Sequence, residues 1–285
     1  MRRALKRVLL RTGFYGPLWE VRGRLRGLDP RTLIRNRRFM SRHAPADPVP
    51  PSRLIYEVVN HYDIQSFLAG GQERAEAIEA ALKSAGFDSA GCRRALDFGC
   101  GCGRVIRHLK DRIPAEWYGS DLNPRLAGWC RDNLHFASFS SNGLEPPLLF
   151  EDAFFDLVYA ISVFTHLDEG FQNRWLAELE RILAPGGVLL VTTHGDAWRD
   201  GLDPEERRAY DTGSIVVRSS QAPGSNLCET YHPPDYFRRI TEPLFAEVHH
   251  LAQGDTAHRA QDIWVLRTPA HPPSQKSKVE SRKSL

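Results

Sequence analysis

Seventeen residues, RRALDFGCGCGRVIRHL from Arg93 to Leu109, hold the most chemically suggestive spacing in the chain. Asp97, Gly99, Gly101 and Gly103 alternate between a short apolar run and a basic helical pattern, as in a tight strand-to-helix turn. Glycine tolerates positive φ, and without side chains the backbone can approach a ligand closely. A dinucleotide fingerprint requires Gly-x-Gly-x-x-Gly. Counted from Gly99 and Gly101 the third position is Arg104, and counted from Gly101 and Gly103 it is Ile106. A P-loop needs Gly-Lys-Ser/Thr to close the turn, and the next lysine is Lys110. Neither pattern closes; a glycine turn without a ligand stays open as the alternative.

Asp121, in WYGSDLNP, ends the next expected strand 24 residues after Asp97. A carboxylate there can accept two hydrogen bonds from ribose hydroxyls, and both dinucleotides and adenosyl sulfonium compounds carry that ribose. The alternative is an N-cap or Asx turn before Pro124. Three histidines also fall at element ends: His166 after the fourth strand in SVFTHLDE, His194 at the end of the fifth in LLVTTHGDAW, and His232 before a helix in ETYHPPDYF. Each can act as a base toward a hydroxyl or serve as a structural hydrogen bonder. Cys100 and Cys102 form only a C-x-C pair with no second pair at zinc-ligand spacing, so no metal site is expected.

The elements that must carry these residues alternate from Arg94 onward. RALDF, EWYGSD, HFASFS, FDLVYAIS and GVLLVTTH read as strands, and RVIRHLKD, PRLAGWCRDNL and EGFQNRWLAELERIL as helices. In the last helix Phe171, Trp175, Leu179 and Ile182, with Leu176 and Leu183, form one apolar stripe, and APGG is expected to stop it. That order predicts an α/β fold, a mostly parallel sheet with helices on both faces. In such sheets ligands bind beyond the carboxyl ends of the strands, near the switch in strand order. Upstream lies a helical lead-in over 51–92. Leu54, Ile55, Val58, Val59 and Tyr62 make one helical pattern, and after Gly70-Gly71 come Ala75, Ile78, Leu82 and Ala85, with Gly86 as C-cap.

Four stretches, LDFGCGCG, YGSDLNP, FDLVYAISVFTHL and LAPGGVLLVTTHG, in this order and spacing, resemble the class I S-adenosylmethionine-dependent methyltransferases over about Ile64 to Arg267. The resemblance implies a Rossmann-like sheet of seven strands, the last antiparallel, with FAEVHHLAQ and QDIWVLRT as the final two. It implies S-adenosylmethionine as cofactor. Asp97, Gly99, Gly101 and Gly103 would line its methionine end, Asp121 and Leu122 would hold ribose and adenine, and Asn142 would lie near the adenine. Methyl transfer from a sulfonium is an in-line displacement, so catalysis rests on holding acceptor and methyl in place. His166, His194 and His232 are then the candidate catalytic bases for a hydroxyl acceptor. The [DN]-P-P-[FYW] turn of enzymes that methylate amide or base amino groups is replaced by AISVFTH. A small-molecule or glycan acceptor is expected, and nucleic acid is disfavoured. Residues 195–232, with hairpin-like SIVVRSS and SNLCETY, interrupt the strand-helix rhythm and are expected to cover the substrate. An NAD-dependent oxidoreductase and a non-catalytic adenosyl-binding protein are the competing readings.

The net charge of +3 is unevenly spread: residues 1–40 hold twelve Lys or Arg against Glu20 and Asp29. Residues 1–50 read as a basic extension ending in a proline-rich linker, 93–268 as the cofactor-binding domain, and 269–285 as a disordered tail. The segment 1–28 combines an apolar face, flanking basic residues and the aromatics of FYGPLW, which suits a weak peripheral membrane anchor. No run is apolar enough to span a bilayer. Five cysteines without a disulfide framework fit a reducing cytoplasm.

Overall fold

A computed structural model describes residues 29–218, 223–225, 227–255 and 260–270. The expectations placed on residues 1–28, and on the tail beyond residue 270, lie outside the described residues. The chain divides into two compact units between Gly71 and Gln72.

The first unit contains α1 (Pro30–Arg42), α2 (Ser52–Val59) and the opening turns of α3 (Ile64–Ser84). The Asp29 side chain caps α1 by accepting from Arg31 N, and Pro30 occupies the first helical position, where its missing N–H is not needed. Asn36 Nδ2 donates to Tyr62 O at 2.7 Å, and Asn36 Oδ1 accepts from Ile64 N at 3.0 Å.

The second unit is built on a seven-stranded sheet in the order β3-β2-β1-β4-β5-β9-β8. Its strands are β1 (Arg94–Phe98), β2 (Glu116–Asp121), β3 (Ala137–Ser141), β4 (Phe155–Ala160), β5 (Leu183–Thr193), β8 (Glu247–Asp255) and β9 (Gln261–Arg267). The five expected parallel strands pair in parallel, and β9 runs antiparallel to both β5 and β8. The class I methyltransferase sheet is therefore present, its last strand antiparallel. Alternation within each strand feeds two cores. Ala95, Leu157, Tyr159, Val188 and Val265 pack with Ile78 and Leu82 of α3 on one face. Leu96, Val158, Leu189 and Trp264 pack on the other with Trp175 and Leu179 of α6 (Glu169–Ile182) and Phe237 of α8 (Pro234–Thr241). The remaining helices are α4 (Ile106–Leu109), α5 (Pro124–Asn133) and α7 (Pro204–Asp211).

Three local expectations need correction. Helix α3 does not begin after Gly70-Gly71 but at Ile64 and runs through both glycines, a cost of about 1 kcal/mol each that a long helix absorbs. Its end follows the pattern read in the sequence, with Gly86 at φ 67° and Phe87 N donating to Leu82 O at 2.9 Å, a Schellman closure. APGG is not a loop between α6 and β5. The strand starts at Leu183, directly after Ile182, and takes the glycines as an irregularity, its register shifting between the Phe155 and Leu157 pairings of β4. The helix read in RVIRHLKD is only Ile106–Leu109, because the glycine turn consumes the residues before it.

The described residues of the segment 195–232 are folded. Strands β6 (Val216–Arg218) and β7 (Glu229–Tyr231) pair antiparallel, and α7 starts on an Asp203–Glu206 capping box. Leu202, Tyr210, Val216 and Tyr231 make a small core of their own.

Candidate active site

The order of the sheet reverses between β1 and β4, and every residue singled out in the sequence lies at or just beyond a strand's carboxyl end. The glycine turn follows β1. Gly99, Gly101 and Gly103 take φ of 84°, 55° and 73°, values that favour glycine. Two of them are also demanded by packing: a Cβ on Gly99 would stand 2.3 Å from Val163 Cγ2, and one on Gly103 2.5 Å from Leu134 Cδ1. The turn is tied to β2, since Gly99 N and Cys100 N both donate to Ser120 O at 2.7 and 3.0 Å.

Asp97 lies beneath this turn and is 3% exposed. Burial pushes its carboxyl up to about 7; the Tyr159 hydroxyl and Ile106 N–H oppose that rise, and the charge of Asp121 adds to it. Asp121 closes the turn from the other side. Its Oδ2 accepts from Gly101 N at 2.7 Å and its Oδ1 from Asn123 N at 2.8 Å, while burial raises its pKa. Each oxygen keeps a further lone pair for a ligand hydroxyl. Asn142 lies after β3 with its amide engaged locally, Oδ1 accepting from Ser120 Oγ at 2.7 Å and Nδ2 donating to Gly143 O at 2.8 Å. Leu122, 36% exposed, faces outward next to Asp121.

Sequence reasoning missed a basic pair beside the turn, Arg74 buried and Arg104 half-buried. Arg74 of α3 is 4% exposed and its Nε donates to Asp255 Oδ2 at 2.8 Å. Its Nη2 is buried without a hydrogen-bond partner among the described residues. Arg104, directly after Gly103, has its pKa lowered to about 10, first by burial and then by the like charge of Arg74. A buried donor without a partner is costly, and Arg74 Nη2 is such a donor for an anionic group to satisfy. An arginine interrupting the apolar face of Ala75, Ile78 and Leu82 was the available signal. These residues fit S-adenosylmethionine: Arg74 and Arg104 suit its carboxylate, Asp121 its ribose, and the glycine turn its methionine end.

The three histidines are gathered by one segment of the insertion. Cys228 O lies 2.6 Å from His166 Nδ1, and Thr230 O lies 3.1 Å from His194 Nδ1. A carbonyl only accepts, so both histidines carry their proton on Nδ1. His232 N donates to His194 O at 2.8 Å. His166 is half-buried at the end of the 3-10 turn Phe164–His166 that follows β4, and desolvation lowers its pKa below the usual 6.5. His194 packs against Trp198 with ring centroids 3.9 Å apart. His232 is 1% exposed with both ring nitrogens buried and unpartnered among the described residues. Burial, then the neighbouring His194, holds its pKa down to about 3.

The same segment reaches the cofactor side. Gly224 N donates to His166 O at 2.8 Å, and a Cβ on Gly224 would stand 2.6 Å from Leu122 Cδ2 and 3.1 Å from Leu144 Cδ1. Thr230 Oγ1 donates to Leu167 O at 2.7 Å. The insertion is thus a strap from Leu122 across His166 to His194. On the far side of His194, Gly195 passes so close to Asp262 that a Cβ would be 2.0 Å from its Oδ2.

Residues 96–191 match the family model described as a methyltransferase domain. The chain is 28% identical over 172 residues to the tocopherol O-methyltransferase of Arabidopsis thaliana, covering 55% of this chain and 44% of that protein. It is 32% identical over 146 residues to the demethylmenaquinone methyltransferase of Thermus thermophilus, covering 48% and 63%. It spans about half the length of the curated relatives it matches. A methyltransferase structure from Mesorhizobium loti aligns at a TM-score of 0.52 with 16% identity, over 67% of this chain and 97% of that one, a likeness of fold. The domain match covers the glycine turn, Asp121 and His166, so residues 96–191 are a methyltransferase domain, and the fold of the chain is that of the class I S-adenosylmethionine-dependent methyltransferases.

Proposed function

We propose that the protein transfers a methyl group from S-adenosylmethionine to a hydroxyl of a small-molecule or glycan acceptor, with His166 as the base. The observation that carries this reading is the hydrogen bond of His166 Nδ1 to Cys228 O. It fixes the neutral tautomer and leaves Nε2 as a lone-pair acceptor in the 3-10 turn that follows the strand next to β1. The lowered pKa keeps that nitrogen unprotonated at neutral pH.

When bound, the cofactor supplies an activated methyl on a sulfonium. The chain orients the acceptor, keeps water out beneath the strap, and receives the hydroxyl proton on His166 Nε2 as the new oxygen–methyl bond forms and the carbon–sulfur bond breaks. His194 and His232 hold the strap: one is bonded to Thr230 and stacked on Trp198, the other is sealed next to Phe237. The Arabidopsis relative is an O-methyltransferase, which supports an oxygen acceptor. Residues 195–232 would select that acceptor. Five buried cysteines in no disulfide support a reducing, cytoplasmic setting, and no helix among the described residues is long and apolar enough to cross a membrane.

The test is methyl uptake. With S-adenosylmethionine labelled in its methyl group, metabolite and glycan extracts are screened for a labelled product, and its linkage is read by mass spectrometry. A labelled ether formed by wild type and at least about 100-fold more slowly by His166→Gln supports the reading. A methylated amine or carbon, or full activity in His166→Gln, contradicts it.

A further inference from the structure

Helix α1, in the first unit, presents an exposed surface with a pattern of its own. Its sequence, PRTLIRNRRFMSR, carries five arginines and no acidic residue. At about 100° per residue its side chains sort into three stripes. Asn36 is buried against Tyr62 and Ile64, with Thr32 and Phe39 half-buried beside it. Next to these, Met40, Leu33 and Ile34 stand 40%, 49% and 53% exposed around Arg37. The last stripe is Arg31, Arg35, Arg38 and Arg42, all exposed, with Arg35 paired to Asp63.

Three exposed aliphatic side chains bordered by guanidiniums are arranged as in helices that lie along a bilayer surface, where apolar groups enter the acyl boundary and arginines meet lipid phosphates. Arg37, inside the apolar stripe, has a stem long enough to carry its charge back to the headgroups. We propose that α1 docks on an anionic lipid surface. A nucleic acid would satisfy the arginines yet leave Leu33, Ile34 and Met40 unburied. The ring on this helix, Phe39, is already stacked on His43 at 4.5 Å and is not open to a base. A second copy of this chain would cover the aliphatic stripe only by bringing arginines against arginines across a two-fold axis.

The proposal does not depend on the methyl-transfer reading. The full-length chain is sedimented with vesicles of phosphatidylcholine alone and with phosphatidylglycerol added. Two triple variants accompany it, Leu33→Gln/Ile34→Gln/Met40→Gln and Arg31→Gln/Arg38→Gln/Arg42→Gln. Exposed positions are changed and the Arg35–Asp63 pair is kept, so melting temperature and S-adenosylmethionine affinity should match wild type. The expected result is binding to the anionic vesicles that falls at least about tenfold in each variant, with little binding to the neutral ones. Wild-type binding by the aliphatic variant would overturn the proposal and assign adhesion to charge alone or to residues 1–28. Equal binding to both vesicle types, a dimer in sedimentation equilibrium that the aliphatic variant abolishes, or displacement of anionic vesicles by an RNA oligonucleotide that the aliphatic variant still binds would overturn it equally.

Discussion

A histidine that accepts a proton needs one nitrogen free to do so, and in this chain a carbonyl decides which. Cys228 O holds the Nδ1 proton of His166, so Nε2 carries the ring's lone pair, the atom proposed to take the acceptor's proton. His166→Gln should lower kcat by about 100-fold or more and leave cofactor affinity unchanged in calorimetry. The acid limb of the kcat/KM profile should lie below pH 6.5, because desolvation lowers the His166 pKa from that value, and it should vanish in the variant. A limb that survives His166→Gln would assign the titration to another group. The histidines were visible in the sequence as residues at strand ends, but their ranking was not. His232 looked equivalent to His166, and only the fold shows both of its nitrogens shut away from any acceptor. Arg74 was invisible as a site residue because its relation to Arg104 and Asp255 crosses elements far apart in sequence.

At the scale of elements, the glycine turn and the strap share one dependence on bare backbone. Gly99→Ala puts a Cβ 2.3 Å from Val163 at a φ of 84°. It should cost about 1–3 kcal/mol in denaturant melts and weaken the cofactor together with the fold. Gly224→Ala, at φ 74° and 2.6 Å from Leu122, strains a segment that carries little core. Turnover should therefore fall more than the melting temperature does; parallel losses would mean the strap is structural only. Strands β1 to β5 were legible because each is a short apolar run between turn signals, and the β6–β7 pair because its two runs resemble a hairpin. Helices α1 and α7 went unread although Asp29-Pro30 and Asp203-Pro204 are helix-start signals. Their apolar stripes are too thin, α1 carrying five arginines in thirteen residues and α7 being only eight residues long. The strap is held by carbonyl-to-imidazole bonds between residues 36 and 62 positions apart, and no local pattern encodes such bonds.

For the whole molecule, two buried titrating groups make stability depend on pH in opposite senses. Asp97 keeps its proton up to about 7 when folded and releases it near 3.8 when unfolded, so it stabilises the fold in acid and that contribution is lost as pH rises through 7. His232 stays neutral down to about 3 when folded but protonates near 6.5 when unfolded, so stability is full above 6.5 and falls as pH drops toward 3. Each contribution is of order 4 kcal/mol. Relative to wild type, Asp97→Asn should gain stability as pH rises from 4 to 7, and His232→Gln should gain as pH falls over the same range. Flat difference curves in urea melts would refute the burial argument. Whether the glycine turn, Asp121, Arg74 and Arg104 form an S-adenosylmethionine site is tested by calorimetric titration of the purified full-length chain with S-adenosylmethionine and S-adenosylhomocysteine. The account predicts micromolar binding of both, stabilisation of roughly 2.7 kcal/mol at about 100 times the dissociation constant, and strong weakening in Asp121→Ala, whose loss strands ribose hydroxyls. Absence of heat with either compound, or undiminished binding in Asp121→Ala, would contradict it.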